Sequence, residues 1–386
     1  MKRKLRMGMV GGGPGSFIGA VHRIAAGLDG QIEPVCGCFS SSYEKSLETG
    51  RKLYLPDERI YKTYREMIEQ EALLPEGERM DFISVVTPNH AHFEPVFEAL
   101  RHGFHAVLDK PMTFTLEEAW KLKEKVEQTG LILALTYTYT GYPMVKEARL
   151  RVARGDFGKI RRIYVEYPQG WLADTVLEAD NKQAGWRTDP ARSGIAGCMG
   201  DIGTHAFNLA EYITGLKTVE LCSELNTFVP GRLLEDDGAA LLRYEGGARG
   251  LLSASQIAVG EENNLSIRVY GEKGGLEWHQ QEPNTLIVKW NHQPDETVRT
   301  SNGYVSAIAG YNSRTPGGHP EGYIEAFANI YRNFALTVQC RLEGVQPKAE
   351  HLDFPSVNEG LRGMQFIRTV VASSNSSEKW LQMIER

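Results

Sequence analysis

The sequence predicts two domains of different class. An α/β domain with a doubly wound parallel sheet spans 1–136, and an α+β domain spans 137–386, with a large, mostly antiparallel sheet covered by helices on one face. Three observations carry the prediction. Strand-like and helix-like apolar segments alternate from Arg6 to Thr136, the pattern of successive βαβ units. That alternation stops at Tyr137-Thr138-Tyr139-Thr140-Gly141-Tyr142-Pro143. Beyond it, short strand-like runs follow one another across turns, as in an antiparallel sheet. A chain of 386 residues is long enough for two cores, since a single core rarely grows past ~250–300 residues.

In the first domain Arg6–Val10 reads as a strand and Phe17–Leu28 has helical apolar spacing. Between them, Gly11-Gly12-Gly13-Pro14-Gly15 makes a turn where backbone can approach a pyrophosphate, whose charge is favoured at the helix N-terminus. Gly11 and Gly13 have the usual spacing, but the third glycine is Gly19, so extra residues lengthen the turn. A glycine cluster this dense is also what a plain flexible loop contains. Ile32–Phe39 and Tyr43–Leu53 form the next strand and helix. A dinucleotide fold places an acid there for the adenosine ribose. Phe39-Ser40-Ser41-Ser42 occupies the position instead, leaving the hydroxyls of Ser40 and Ser41 as ribose contacts. No arginine follows to hold a 2′-phosphate, so NAD is favoured and NADP stays open. Asp81–Val86 is a buried-type strand ending in Thr87-Pro88-Asn89-His90-Ala91-His92, and a helix runs from there to about Arg101. Open parallel sheets bind ligands at the carboxyl ends of their strands, which makes Thr87, Asn89 and His92 cofactor contacts. The histidines suit a solvated helix start equally well. His105–Leu108 delivers Asp109-Lys110-Pro111 to the same edge. A lysine there can donate to a substrate hydroxyl and stabilise alkoxide charge, although a lone strand-end lysine is usually solvated. Leu116–Gln128 and Leu131–Thr136 complete the series.

In the second domain Met144–Ala153 reads as a helix. Lys159–Tyr167, Thr218–Phe228, Ala239–Tyr244, Arg249–Ile257, Leu265–Tyr270, Gly275–His279 and Thr285–Trp290 read as strands, interrupted by helices at Gly200–Thr214 and Tyr323–Val338. The face of the sheet away from the helices is open to a partner subunit. Gly197-Cys198-Met199-Gly200-Asp201-Ile202-Gly203-Thr204-His205 is the chemical centre of the chain. With Gly200 as the last loop residue, Asp201 starts the helix and His205 falls four residues on, along the same face. A carboxylate beside an imidazole suits removal of a hydroxyl proton, and Gly203 leaves space for a ligand. An isolated D-x-x-x-H is also what an N-cap aspartate and a first-turn histidine produce. Gln169-Gly170-Trp171 and Trp186-Arg187-Thr188-Asp189-Pro190 set aromatics beside polar groups just ahead of that helix. Such groups stack on sugar C–H faces and bond hydroxyls, while tryptophans at these positions also suit a core. Tyr139, Tyr142, Gln169 and Trp171 are the substrate contacts this pattern offers.

Composition narrows the function classes. A formal charge of −6 leaves no nucleic-acid footprint, and no run reaches the ~18 apolar residues of a membrane span. The basic start at Met1–Arg6 precedes a glycine-rich stretch too short for a secretory signal, so a cytoplasmic location is expected. Five cysteines, odd in number and without paired C-x-x-C spacing, read as reduced, buried thiols; no metal is expected.

Taken together, the glycine turn, Thr87-Pro88-Asn89, Asp109-Lys110-Pro111 and Gly200-Asp201-x-Gly203-x-His205 resemble the glucose–fructose oxidoreductase/inositol dehydrogenase/rhizopine catabolism (Gfo/Idh/MocA) family over nearly the whole chain. The stretches 11–23, 140–145, 186–194 and 318–323 look like its levoglucosan dehydrogenase branch. The resemblance implies a Rossmann domain, an antiparallel-sheet domain, a homo-oligomer (dimer or tetramer) built through that sheet, and catalytic groups at Lys110, Asp201 and His205. It also implies cofactor contacts at Ser16, Phe17 and Ile18, and at Asp109, Lys110, Trp186 and Arg187, and a substrate contact at His319. Asp109 departs from the family's usual glutamate, and the ribose-binding acid is missing. The implied activity is NAD(P)-dependent oxidation of a secondary ring hydroxyl, position 3 favoured, in a neutral sugar, anhydro-sugar, glycoside or cyclic polyol. Two alternatives stay open: an enzyme that recycles bound NAD through a transient keto-sugar, and a dinucleotide-dependent regulator without catalysis.

Overall fold

A computed structural model of the chain describes residues 3–174 and 182–385. The chain divides into two compact units. One comprises Met1–Thr136 with Phe327–Leu361, the other Tyr137–Ala326 with Arg362–Arg386.

The first unit alternates β1 (Leu5–Gly11), α1 (Phe17–Gly27), β2 (Ile32–Cys38), α2 (Tyr43–Lys52), α3 (Tyr64–Leu73), β3 (Phe82–Val86), α4 (Phe93–Arg101), β4 (His105–Leu108), α5 (Leu116–Thr129) and β5 (Leu133–Leu135). The strands form a five-stranded sheet in the order β2-β1-β3-β4-β5, every pair parallel. β3 and β4 are buried throughout, which is why they read as continuous apolar runs rather than alternating ones. Chain order reverses at β1, and Gly11 at its end pairs in register with Val86 at the end of β3. The glycine turn and the Thr87 loop are thus neighbours at the switch point, the edge where open sheets bind ligands. Helix α3 had no counterpart in the sequence reading. It buries Glu71, whose carboxylate accepts from Arg59 Nε at 3.0 Å, Tyr61 Oη at 3.0 Å and the Met80 backbone N–H at 2.8 Å. From Phe327 onward the helix Tyr323–Leu342 also belongs to this unit. Its Tyr331 hydroxyl lies 2.7 Å from His22 Nδ1 and 2.8 Å from Ser84 Oγ.

The second unit contains α6 (Pro143–Ala153), β6 (Ile160–Pro168), α7 (Lys182–Arg187), α8 (Pro190–Ser193), a π-helical turn at Met199–Gly203 and α9 (Thr204–Thr214). After these come β7 (Thr218–Asn226), β8 (Asp237–Tyr244), β9 (Arg249–Ser255), β10 (Ser266–Gly271), β11 (Gly274–His279), β12 (Thr285–Trp290) and β13 (Glu296–Arg299). The chain continues through α10 (Ala307–Tyr311), α11 (Tyr323–Leu342), α12 (Val357–Asn375) and β14 (Leu381–Gln382). The sheet has nine strands in the order β13-β12-β11-β10-β6-β9-β8-β7-β14. β6 and β9 pair parallel and the other pairs are antiparallel. α9 packs on β6 and β9, where Ile163, Val165, Leu252 and Ala254 are buried. The sequence reading had no helix over 357–375. Glycines and serines dilute its apolar period, and Gly363 owes its place to packing, since a Cβ there would lie 2.1 Å from Tyr137 Oη. Among the described residues, no helix is long and apolar enough to cross a membrane.

Candidate active site

In the first unit the residues expected to hold the cofactor lie at the carboxyl edge of the sheet. The glycines of the turn are required by closeness: a Cβ on Gly19 would lie 2.3 Å from Gly12 Cα, and one on Gly13 would lie 2.6 Å from the Phe39 carbonyl oxygen. Gly19 thus lets α1 pack against the turn, and Gly13 lets the turn pack against the end of β2. Ser16 caps α1, its Oγ accepting from Gly19 N at 3.2 Å, while Pro14, Gly15 and Phe17 stand exposed around it, Phe17 at 66%. Ile18 is half-buried in the first turn of α1. Ser40 Oγ accepts from Ser42 N at 3.2 Å, and Ser41 is exposed.

Thr87, Asn89 and His92 come together, but with their polar groups engaged locally. Thr87 Oγ1 donates to the Ala91 carbonyl at 3.0 Å, and Asn89 is buried in the short 3-10 turn Asn89–Ala91. His92 is 1% exposed, with Nδ1 at 2.8 Å from the Pro111 carbonyl and Nε2 at 2.8 Å from the Thr87 carbonyl. The ring therefore lies between the carbonyls of the loops after β3 and β4, with its one N–H given to one of them, because burial holds its basicity below the ordinary imidazole range. Asp109 has a similar bracing part: its Oδ1 accepts from Lys110 N at 2.9 Å and from Thr136 Oγ1 at 2.8 Å. This carboxylate fixes the backbone that presents Lys110. The Lys110–Pro111 peptide is cis.

In the second unit the helix start differs from the sequence reading. Asp201 does not cap it: the helical turn begins at Cys198, and Asp201 N already donates to Gly197 O at 2.9 Å. The capping is done from far along the chain, by Glu235, whose carbonyl accepts from Cys198 N at 3.0 Å and whose Oε1 accepts from Met199 N at 3.1 Å. Asp201 is thereby released for other partners. Its Oδ2 accepts from Arg187 Nε at 3.0 Å and from Gln256 Nε2 at 2.9 Å. The Arg187 guanidinium stands 4.3 Å over the Trp186 ring and 5.9 Å from that of Trp171. Gly203 is also not an opening for a ligand; a Cβ there would meet Met199 Sδ at 3.0 Å and Ala254 Cβ at 3.6 Å, so its smallness serves packing.

His205 is 8% exposed and framed by three aromatic rings: Tyr139 at 4.9 Å, Tyr137 at 5.7 Å and Tyr167 at 6.3 Å between centroids, all edge-to-face. Tyr139, expected as a sugar contact, is buried and its hydroxyl bonds that of Tyr167. Asn263 closes the set: Nδ2 donates to Tyr139 Oη at 3.2 Å, and Oδ1 accepts from Tyr167 Oη and from Gln169 Nε2, each at 2.6 Å. Gln169 Oε1 then accepts from Trp171 Nε1 at 2.9 Å. Burial pushes the Tyr139 and Tyr167 phenols up, so both stay protonated donors. Tyr142 is a core residue, stacked 6.3 Å from Tyr139, its phenol pushed up to about 12 by burial. His319 lies on an exposed turn, Nδ1 3.3 Å from the Pro316 carbonyl. The sequence reading missed Tyr167, Gln256 and Asn263. Tyr167 ends a predicted strand and Gln256 is the next-to-last residue of another, positions that could have flagged them; Asn263 sits in a polar loop without a signal.

Comparison with known proteins agrees with this architecture. Residues 5–137 match the oxidoreductase family with an NAD-binding Rossmann fold, and residues 145–277 match the GFO/IDH/MocA C-terminal domain. An oxidoreductase from Sinorhizobium meliloti is 40% identical, with a TM-score of 0.89 over 98% of this chain and 100% of its own. An inositol dehydrogenase homologue from Azotobacter vinelandii, solved with NADH and myo-inositol, is 33% identical, with a TM-score of 0.91 over 99% of this chain and 98% of its own. The levoglucosan dehydrogenase of Pseudarthrobacter phenanthrenivorans is 24% identical over 74% of this chain and 76% of its own length. With both halves matched and the parallel and antiparallel sheets in place, the chain belongs to the Gfo/Idh/MocA family of NAD-binding oxidoreductases.

Proposed function

We propose that the protein oxidises a secondary ring hydroxyl of a neutral cyclic sugar, glycoside, anhydro-sugar or polyol, position 3 in a pyranose, with NAD as hydride acceptor. The NAD-binding match, the inositol dehydrogenase homologue solved with NADH and myo-inositol, and the levoglucosan dehydrogenase among its relatives support the reaction class. One observation carries the choice of a neutral substrate: Arg187, the residue that would otherwise suit a substrate anion, is paired with Asp201, while the groups near His205 are tyrosines, amides and a tryptophan.

In this reading the glycine turn with Ser16, Phe17 and Ile18 takes the pyrophosphate, Ser40 and Ser41 the adenosine ribose, and the Thr87–His92 and Asp109–Lys110 loops the nicotinamide side. NAD, when bound, supplies the carbon that accepts hydride. His205 takes the hydroxyl proton, Lys110 donates to the oxygen as negative charge develops, and Asp201 supplies a fixed negative charge one turn before His205. Trp186 and Arg187 flank Asp201, and Gln169 and Trp171 contact the sugar. The open face of the nine-stranded sheet joins subunits into a dimer or tetramer.

The test is turnover of NAD with a panel of myo-inositol, levoglucosan, neutral glucosides, their 3-deoxy analogues and sugar phosphates, followed by the absorbance of reduced nicotinamide. A site built to bond hydroxyls loses much of its rate on the deoxy analogue, because its polar groups are left unpaired. Sugar phosphates turning over faster than every neutral substrate would overturn the reading.

A further inference from the structure

We propose that Gln256 is a positioning residue which, together with Arg187, clamps Oδ2 of Asp201 and holds that side chain as a fixed anion. This rests on the reading of Asp201 as a catalytic group. Gln256 is 3% exposed, so its amide is out of reach of bulk water and its orientation is set by protein groups alone. Its backbone is tied on both sides: N–H donates to the Asp236 carbonyl at 2.9 Å, and C=O accepts from Leu172 N at 3.1 Å. The side chain is therefore delivered from the anchored end of β9, and Nε2 donates to Asp201 Oδ2 at 2.9 Å. Arg187 Nε reaches the same oxygen at 3.0 Å, its guanidinium held against the Trp186 ring.

Two donors on one carboxylate oxygen stabilise the charged form, and a glutamine donor cannot titrate. Tyr167 and Cys198, which also face Asp201, lose no proton at neutral pH because burial pushes both up. His205 follows four residues on along the same turn and helix, and Glu235, packed on that turn through Met199 N, is the carboxyl that burial keeps protonated below about 7. The clamp thus divides the chemistry: Asp201 keeps its charge throughout, and the proton from substrate goes to His205. It also makes Arg187 an internal counter-ion of Asp201.

The experiment titrates the Asp201 carboxyl directly, by carbon NMR of full-length protein labelled at aspartate carboxyls, the Asp201 signal being the one lost in Asp201→Asn. Gln256→Leu should raise the Asp201 midpoint by about one pH unit, the worth of one hydrogen bond to a charged group. Gln256→Glu, which keeps shape and polarity if leucine does not fold, should raise it further, because two adjacent carboxyls then share a proton. The acid limb of kcat/KM should move in the same direction with NAD affinity unchanged. An unmoved midpoint in both variants would overturn the clamp. A moved midpoint with full activity in Asp201→Asn would leave the clamp standing and refute the catalytic reading of Asp201.

Discussion

His205 has its surroundings ordered by hydrogen bonds that the imidazole does not itself make. Asn263 bonds Tyr139 and Tyr167, and those two rings stand edge-on to the imidazole. In the proposed reaction, such a frame holds the imidazole, as base, edge-on to the two rings. Replacement of the base should then cost what general acid–base groups typically contribute: His205→Ala and Lys110→Ala each lower kcat by ~10²- to 10⁴-fold. NAD affinity, measured by calorimetry, should stay within a few-fold in His205→Ala. A His205→Ala enzyme with undiminished kcat would remove His205 from the reaction. At this scale the sequence drew attention to Lys110 after a buried strand and to the Asp201 to His205 spacing. Gln256 and Asn263 were not legible, because a polar residue at a strand end or in a loop needs no explanation until its partner, far along the chain, is known.

Among the elements, the start of α9 shows how a distant residue replaces a local cap. Glu235 is buried within the carboxyl-rich run Glu235-Asp236-Asp237, and loss of water pushes its carboxyl up to about 7. Between the unfolded value near 4.5 and about 7, the folded chain holds a proton that the unfolded chain has lost. Stability from this group is therefore full below about 4.5 and falls as pH rises to about 7. The shift corresponds to ~3 kcal/mol. Glu235→Gln keeps an acceptor for the Met199 N–H and removes the titration. Urea unfolding across this range should show wild type losing stability relative to the variant by that order; parallel pH profiles would refute it. Helices α3 and α12 escaped the sequence reading for physical reasons. α3 carries four glutamates and glutamines around only two buried apolar residues, Met67 and Ile68, and its anchor is a buried charge, Glu71. α12 contains glycines that tertiary packing, not helix propensity, selects.

For the whole molecule, the open face of the nine-stranded sheet is the surface with most consequence. Cross-strand register lines up Cys222, Leu241, Leu251 and Tyr164, and Leu241 is 44% exposed. A subunit pairing there buries this row around a two-fold axis, with roughly 800 Å² per partner in a standard interface. In the proposed dimer or tetramer, Leu241→Arg places two or four like charges together and should shift sedimentation to the monomer. As an exposed substitution it should alter monomer stability by only ~0.5 kcal/mol. Wild type sedimenting as a monomer at micromolar concentration would refute the assembly.

The sequence by itself determined the order and type of most elements, the class of both sheets and the glycine turn. These are local signals, since a period of two or of 3.6 and a spacing of four are written in neighbouring residues. Tertiary structure decided that 327–361 packs with the first unit, that β6 pairs parallel with β9, and that Asp201 accepts from Arg187 and Gln256 instead of capping a helix. Each of these depends on satisfying buried polar groups with partners remote in the chain, and which partners meet is set only when the fold closes.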